Sequence, residues 1–190
     1  MIYLKKLAMF FIFFSYLHVC AQEFALEKEK SQITWTGKAA FNTYSLTGSL
    51  TVHNGTILIE NDTIKEMQIT VNMKSLDHDN NDLKRHLRSS DFFEVNTYDE
   101  AQFILRSSAS ISSGKASITG DLTIKNNTNS ETIDIEITVG ESFLILNLSK
   151  SLDRTKYGIQ HNSPSFYKNM KENAIADDFI LKASLGFVER

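Results

Sequence analysis

From Ser31 to Phe187 the chain alternates apolar and polar residues with a period of two, and no other feature constrains its fold as tightly. Ile33, Trp35, Ala39 and Phe41 alternate with Gln32, Thr34, Thr36 and Lys38. Met67, Ile69, Val71 and Met73 alternate with Gln68, Thr70, Asn72 and Lys74. Ile118, Leu122 and Ile124 repeat the pattern, as do Ile133, Ile135, Ile137 and Val139. So does the terminal run Phe179, Leu181, Ala183, Leu185 and Phe187. Turn residues separate the runs at Asn54-Gly55, Ser112-Ser113-Gly114, Asn126-Asn127 and Gly140. Only one stretch reads as a helix, near 81–89, where Leu83, His86 and Leu87 share a face. Strands apolar on a single face form antiparallel sheets, because parallel strands covered on both sides are apolar throughout. With so little helix to cover it, the apolar face must close on itself or on a second sheet. The pattern therefore predicts an all-β sandwich or barrel and leaves both open.

The 190 residues suit one domain, without linker, repeat or low-complexity tract. Of 20 basic and 23 acidic residues only Lys5 and Lys6 precede position 22, so the remainder is net acidic by five. That balance argues against a nucleic-acid partner. Met1 to Lys6 is short and basic, and Leu7 to Val19 is apolar except for Ser15, Tyr16 and His18. Thirteen residues fall short of the roughly 20 that a membrane-spanning helix needs. The segment reads as a signal peptide over 1–21, cleaved before Gln22, with a barrel domain over 22–190 in the periplasm or secreted. A lipoprotein anchored through Cys20 is the rival reading, disfavoured by His18 and Val19 where small residues usually stand. Cys20 is the single cysteine, which excludes an intrachain disulfide and a cysteine-based zinc site.

Four blocks resemble the YceI-like family of exported lipid-binding proteins, often called polyisoprenoid-binding. They are Ser31-Gln32-Ile33-Thr34-Trp35-Thr36-Gly37; Asn72 to Leu76 with His86-Leu87-Arg88-Ser89-Ser90-Asp91-Phe92-Phe93, Tyr98, Ala101 and Phe103; Gly120 to Lys125; and Leu152 to Ile159 with Ile175 to Phe179. The chain departs from the family at Tyr44 to Gly48, which lacks a histidine common there, and at Tyr98-Asp99, where Tyr-Pro is frequent. The resemblance implies an antiparallel lipocalin-like barrel of about eight strands with one short helix. It also implies a non-enzymatic carrier, without cofactor, that holds an isoprenoid or similar amphiphilic lipid in an apolar interior. A strand of roughly 10 residues is about 33 Å long, which suits an extended tail. Burying six isoprene units would yield on the order of 24 kcal/mol. That exceeds the practical ceiling near 18 to 21, so several tail types should be tolerated.

On that reading Trp35, Phe41, Met73, Phe103, Leu122, Leu146 and Phe179 are pocket-wall candidates, against the alternative of a dry core. Phe92 and Phe93 close a tunnel mouth or dock the helix. Tyr44 and Tyr157 stand where a tail would meet its head. Arg154 and Arg88 are head-group candidates. For Arg154 the competing role is an ion pair with Asp153, Asp177 or Asp178. The run Asp77 to Asp82 lacks the glycine and glutamate of a calcium loop and reads as a helix start capped by Asn81 or Asp82. His53, His78, His86 and His161 have no metal-binding spacing, and no metal is expected. No nucleophile elbow or phosphate loop is present. Two rivals from other classes are a stress-response interaction module with a dry barrel core and an enzyme acting on lipid at the barrel mouth. A homodimer and transient membrane contact are compatible with either binding reading.

Overall fold

The computed structural model describes residues 21–168 and 173–190. The expected signal peptide, 1–21, and Cys20 lie outside the described residues except for Ala21, which begins the first strand. The elements are β1 (Ala21–Ala39), β2 (Ser45–Glu60), β3 (Thr63–Asp77), α1 (Asn81–Arg88), β4 (Glu100–Leu105), β5 (Ala109–Ser110), β6 (Lys115–Ile124), β7 (Asn127–Val139), β8 (Phe143–Asp153) and β9 (Ile175–Glu189). A 3-10 turn at Arg154–Tyr157 follows β8.

Eight strands close into an antiparallel barrel in the cyclic order β1-β2-β3-β4-β6-β7-β8-β9. Closure of an all-antiparallel ring requires an even number of strands, and β9 meets β1 antiparallel from Phe24↔Glu189 to Ala39↔Ile175. The choice the periodicity left open is thus a barrel, which removes every long sheet edge. At the β1–β9 seam the register shifts between Glu27 and Gln32. Ser31 repairs the ladder there: its hydroxyl donates to the Glu27 carbonyl at 2.7 Å and accepts the Gly186 N–H at 3.1 Å. The two-residue β5 pairs with the start of β3 and arches over one end of the barrel.

Several reversals lie elsewhere than expected. Asn54-Gly55 is not a turn: β2 continues through it after a register shift between Val52 and Asn54, pairing Asn54 with Thr70 and Gly55 with Ile69. The chain reverses at Asn61-Asp62, both at positive φ, which Asn and Asp tolerate. The inward row Ile57 and Ile59 explains the longer strand, because it continues the apolar face past Gly55. The next turn sits at Lys125-Asn126, one residue early, while Ser113-Gly114 turns as expected. Asn80, not Asn81 or Asp82, caps α1, its Oδ1 accepting from the N–H groups of Asp82 and Leu83. β1 ends at Ala39, so Phe41 and Tyr44 lie in the loop beyond it, 67% and 62% exposed.

The interior divides along the barrel axis. At the end bearing the Asn61-Asp62 turn and β5, Phe24, Ile57, Ile64, Leu144 and Phe187 are fully buried and pack into a plug. At the other end, α1 and the segment 89–99 fold over the opening. Their Leu87, Phe92 and Val95 pack with Trp35, Met73, Leu76, Tyr157 and Ile159.

Glycines make room for two of the large inward rings. Trp35 pairs across the ladder with Gly48, and a Cβ at Gly48 would overlap the indole and the Asp77 carbonyl. On β6, Gly120 likewise yields to the ring of Phe103. Gly48→Ala should therefore destabilise the protein by about 1–3 kcal/mol through overpacking. Trp35 is the only tryptophan, so displacement of its ring should also red-shift the native fluorescence. An unchanged unfolding midpoint and emission spectrum would contradict this packing.

Candidate functional site: an apolar cavity beneath the helix

Between the plug and α1 the side chains do not meet, and they enclose a cavity of about 180 Å³. Leaving that volume unfilled by core side chains forgoes on the order of 4 kcal/mol at about 24 cal/mol per Å³. For a domain whose net stability is typically 5–15 kcal/mol, this is a large concession. The void exceeds the roughly 150 Å³ of an engineered apolar cavity that takes up benzene.

Every barrel strand supplies wall. β9 lines it from Ile175 at the helix end to Leu185, and stops short of Phe187 in the plug. From Ile175 to Leu185 is about 33 Å at roughly 3.3 Å per residue. A strand tilt of 35–45° reduces this to about 25 Å along the axis. The bore is therefore blind and shorter than the 33 Å that strand length suggested, because the closed end is filled by its own residues. Met67 and Met73 supply wall that adapts to an irregular guest.

Of the sequence-selected wall residues, Trp35, Met73, Phe92, Phe93, Phe103, Leu122, Leu146 and Phe179 all line the cavity. Phe92 is buried between cavity and helix, so one side chain both docks α1 and roofs the bore. Phe41 and Tyr44 are not in the wall; both stand in the exposed loop after β1. Tyr157 is fully buried behind the wall. Arg88 reaches back to β3, its Nε donating to the Leu76 carbonyl and its Nη2 to the Lys74 carbonyl, each at 2.8 Å. Arg154 touches the cavity but spends its donors on the backbone carbonyls of Ile159, Ile175 and Ala176 at 2.8–3.0 Å. Asp177 lies 3.7 Å from its Nη2. Burial pulls this guanidinium below its ordinary value, while Asp177 and Asp153 oppose the shift. Arg154 thus ties the β8 end to the β9 start.

A polar layer near the mouth was missed in the sequence. The inward face of β8 reads Leu144, Leu146, Leu148, Lys150, Leu152, and that of β7 reads Glu131, Ile133, Ile135, Ile137. Each strand thus carries one charge where the alternation demands an apolar residue, and that break was the available signal. The two charges pair: Lys150 Nζ lies 3.1 Å from Glu131 Oε2 and donates to the Thr132 carbonyl at 2.7 Å. The Tyr157 hydroxyl donates to Glu131 Oε1 at 3.3 Å. Leu181 pairs with Trp35 on one side and Lys150 on the other, so all three lie in one ladder row. The Trp35 indole N–H is buried without a protein acceptor. The row lies within the cavity wall, between the rows of Phe179 and Ala183, and its ammonium is neutralised by Glu131.

The family model described as YceI-like domain matches residues 24–187. A UPF0312 protein of Staphylococcus epidermidis is 33% identical over 100 residues, covering 49% of this chain and 56% of that protein. A UPF0312 protein of Staphylococcus aureus is 34% identical over 100 residues, 49% of this chain and 53% of that protein. The matched stretch thus spans little more than half the length of these relatives. Among solved structures, Burkholderia cenocepacia BcnA superposes with a TM-score of 0.69 at 17% identity, over 85% of this chain and 98% of that one. A polyisoprenoid binding domain from Saccharophagus degradans, implicated in plant cell wall breakdown, gives 0.67 at 10% identity over 88% and 98%. At these identities the likeness is one of fold.

Burial, the charge of Glu131 and the hydrogen bond to it together hold the Tyr157 hydroxyl well above its ordinary value of 10.0. In the unfolded chain Tyr157 ionises near pH 10 while the folded protein keeps its proton. Stability contributed by this group is therefore complete below pH 10 and declines as pH rises beyond it. Tyr157→Phe should cost about 0.5–1.5 kcal/mol at neutral pH. It should also flatten the fall of the urea midpoint above pH 10; parallel alkaline profiles for the two proteins would refute the assignment.

Proposed function

This chain belongs to the YceI-like family, and on that premise we propose that it is an exported carrier for a single-tailed or isoprenoid amphiphile. The observation that carries the proposal is the blind apolar cavity, kept unfilled between a solid plug and a helical cap. Its depth of about 25 Å suits a tail at least as long as one leaflet, which is half of a bilayer's roughly 30 Å hydrocarbon core. The tail occupies the bore, where desolvation drives binding. The polar end stays at the helix-covered end, because the ammonium of Lys150 is already matched by Glu131 and the surface of the bore is almost wholly apolar. The polyisoprenoid ligand named for the Saccharophagus degradans neighbour supports a long apolar guest. The basic start and apolar run of residues 1–19 support export, with cleavage before Gln22 and a periplasmic or secreted destination. No catalytic step and no cofactor enter this reading.

The blind end sets a limit that an open tunnel would not. Affinity for straight-chain amphiphiles should rise about fourfold per methylene, following roughly 0.8 kcal/mol each. It should level off once the tail reaches the plug. Ala183 sits in the row directly below Lys150, between Ile33 and Leu148. Ala183→Phe should fill the bore, lower uptake of a fluorescent long-chain amphiphile at least tenfold and leave the protein folded by its urea midpoint. Uptake unaffected by the substitution, or affinity independent of chain length, would overturn the proposal.

A further inference from the structure

We propose that His86, Asp91 and His161 form a binding site for a divalent transition-metal ion, with zinc the best fit, at the rim of the cavity mouth. The three residues come from separate segments: the last turn of α1, the tight turn that follows it, and the stretch between the 3-10 turn and β9. Their ligating atoms all lie within 4.8 Å of one another. Because the ligands are joined by folding rather than by sequence spacing, a search for paired-histidine motifs could not find them.

The geometry suits zinc. Ligands about 2.0–2.1 Å from a tetrahedral zinc ion stand roughly 3.3–3.4 Å apart. His86 Nε2 and Asp91 Oδ2 are already 3.3 Å apart. His161 is half-buried, and its ring nitrogen lies within 4.8 Å of both of these atoms. The imidazoles are held by aromatic packing, with ring centroids 4.9 Å apart for His86 and His161 at an interplanar angle of 85°. Phe92 supports both, at 5.0 Å from His86 and 5.1 Å from His161. Two imidazoles and one carboxylate select a borderline ion such as zinc over calcium or magnesium, which prefer all-oxygen shells. Three protein ligands leave a fourth position for water or another donor.

The competing description is a simple His86–Asp91 ion pair with His161 stacked beside it. Such a pair needs only two residues, whereas chelation needs all three. An ion here would also tie the turn bearing Phe92, which roofs the cavity, to the segment after Ile159.

Cobalt and zinc titrations of the untagged, chelator-stripped full chain separate the two. One equivalent of cobalt should give the visible absorption of a tetrahedral site, and zinc should displace it stoichiometrically. Zinc should raise the thermal midpoint of the wild type, while His161→Gln and Asp91→Asn should each weaken cobalt affinity at least tenfold and abolish that rise. His161→Gln changes a half-exposed loop residue, so its readout does not depend on a folding defect. Absence of the cobalt band, or equal cobalt affinity in wild type and His161→Gln, would overturn the site. Neither readout involves lipid uptake, so failure here leaves the carrier proposal standing, and the reverse also holds.

Discussion

Ring closure of eight antiparallel strands is the constraint from which the rest follows. Once β9 pairs with β1, every inward side chain shares one enclosed space, and the width of that space is set by strand number. An eight-stranded ring is just wide enough for its own side chains to fill. Whether it is solid or hollow is then decided residue by residue. Here the decision differs along the axis. Phe24, Ile57, Ile64, Leu144 and Phe187 fill one end, whereas Ala101, Ala183 and Gly37 line a bore at the other. The plug offsets the loss of packing in the bore, which lets a single chain combine a stable core with a cavity.

The open end depends on a different device. Helix α1 is too short to stand alone and is held by its ends: Asn80 caps the first turn, and Arg88 reaches back to two carbonyls of β3. Phe92 and Leu87 then roof the cavity from the same unit. On the other side of the mouth Arg154 gathers three carbonyls from the segment after the 3-10 turn and from β9. Two buried or half-buried arginines thus organise the rim by satisfying backbone groups, and their charge is spent within the protein.

Much of this was legible in the sequence because alternation is local and a closed sheet preserves it. The inward rows of β3, β6, β7 and β9 are the residues that the period of two selects, and eight of the eleven apolar candidates do line the cavity. Phe41 misled because alternation says nothing about where a strand ends; the chain turns after Ala39. Asn54-Gly55 misled for the complementary reason, since a turn-prone pair is overruled when the apolar row continues past it. Depth was not legible either: the plug comes from five strands that meet only after closure. Glu131 and Lys150 were readable as breaks in an inward row, yet their pairing across β7 and β8 needed the register.

The central claim is that the space between plug and helix exists for an apolar guest. Native mass spectrometry tests it most directly, on the full chain prepared without detergent from its own membranes. Each chain should carry one noncovalent amphiphile of defined mass, lost on denaturation. A bare chain that also fails to take up any long-tailed amphiphile supplied in excess would contradict the claim.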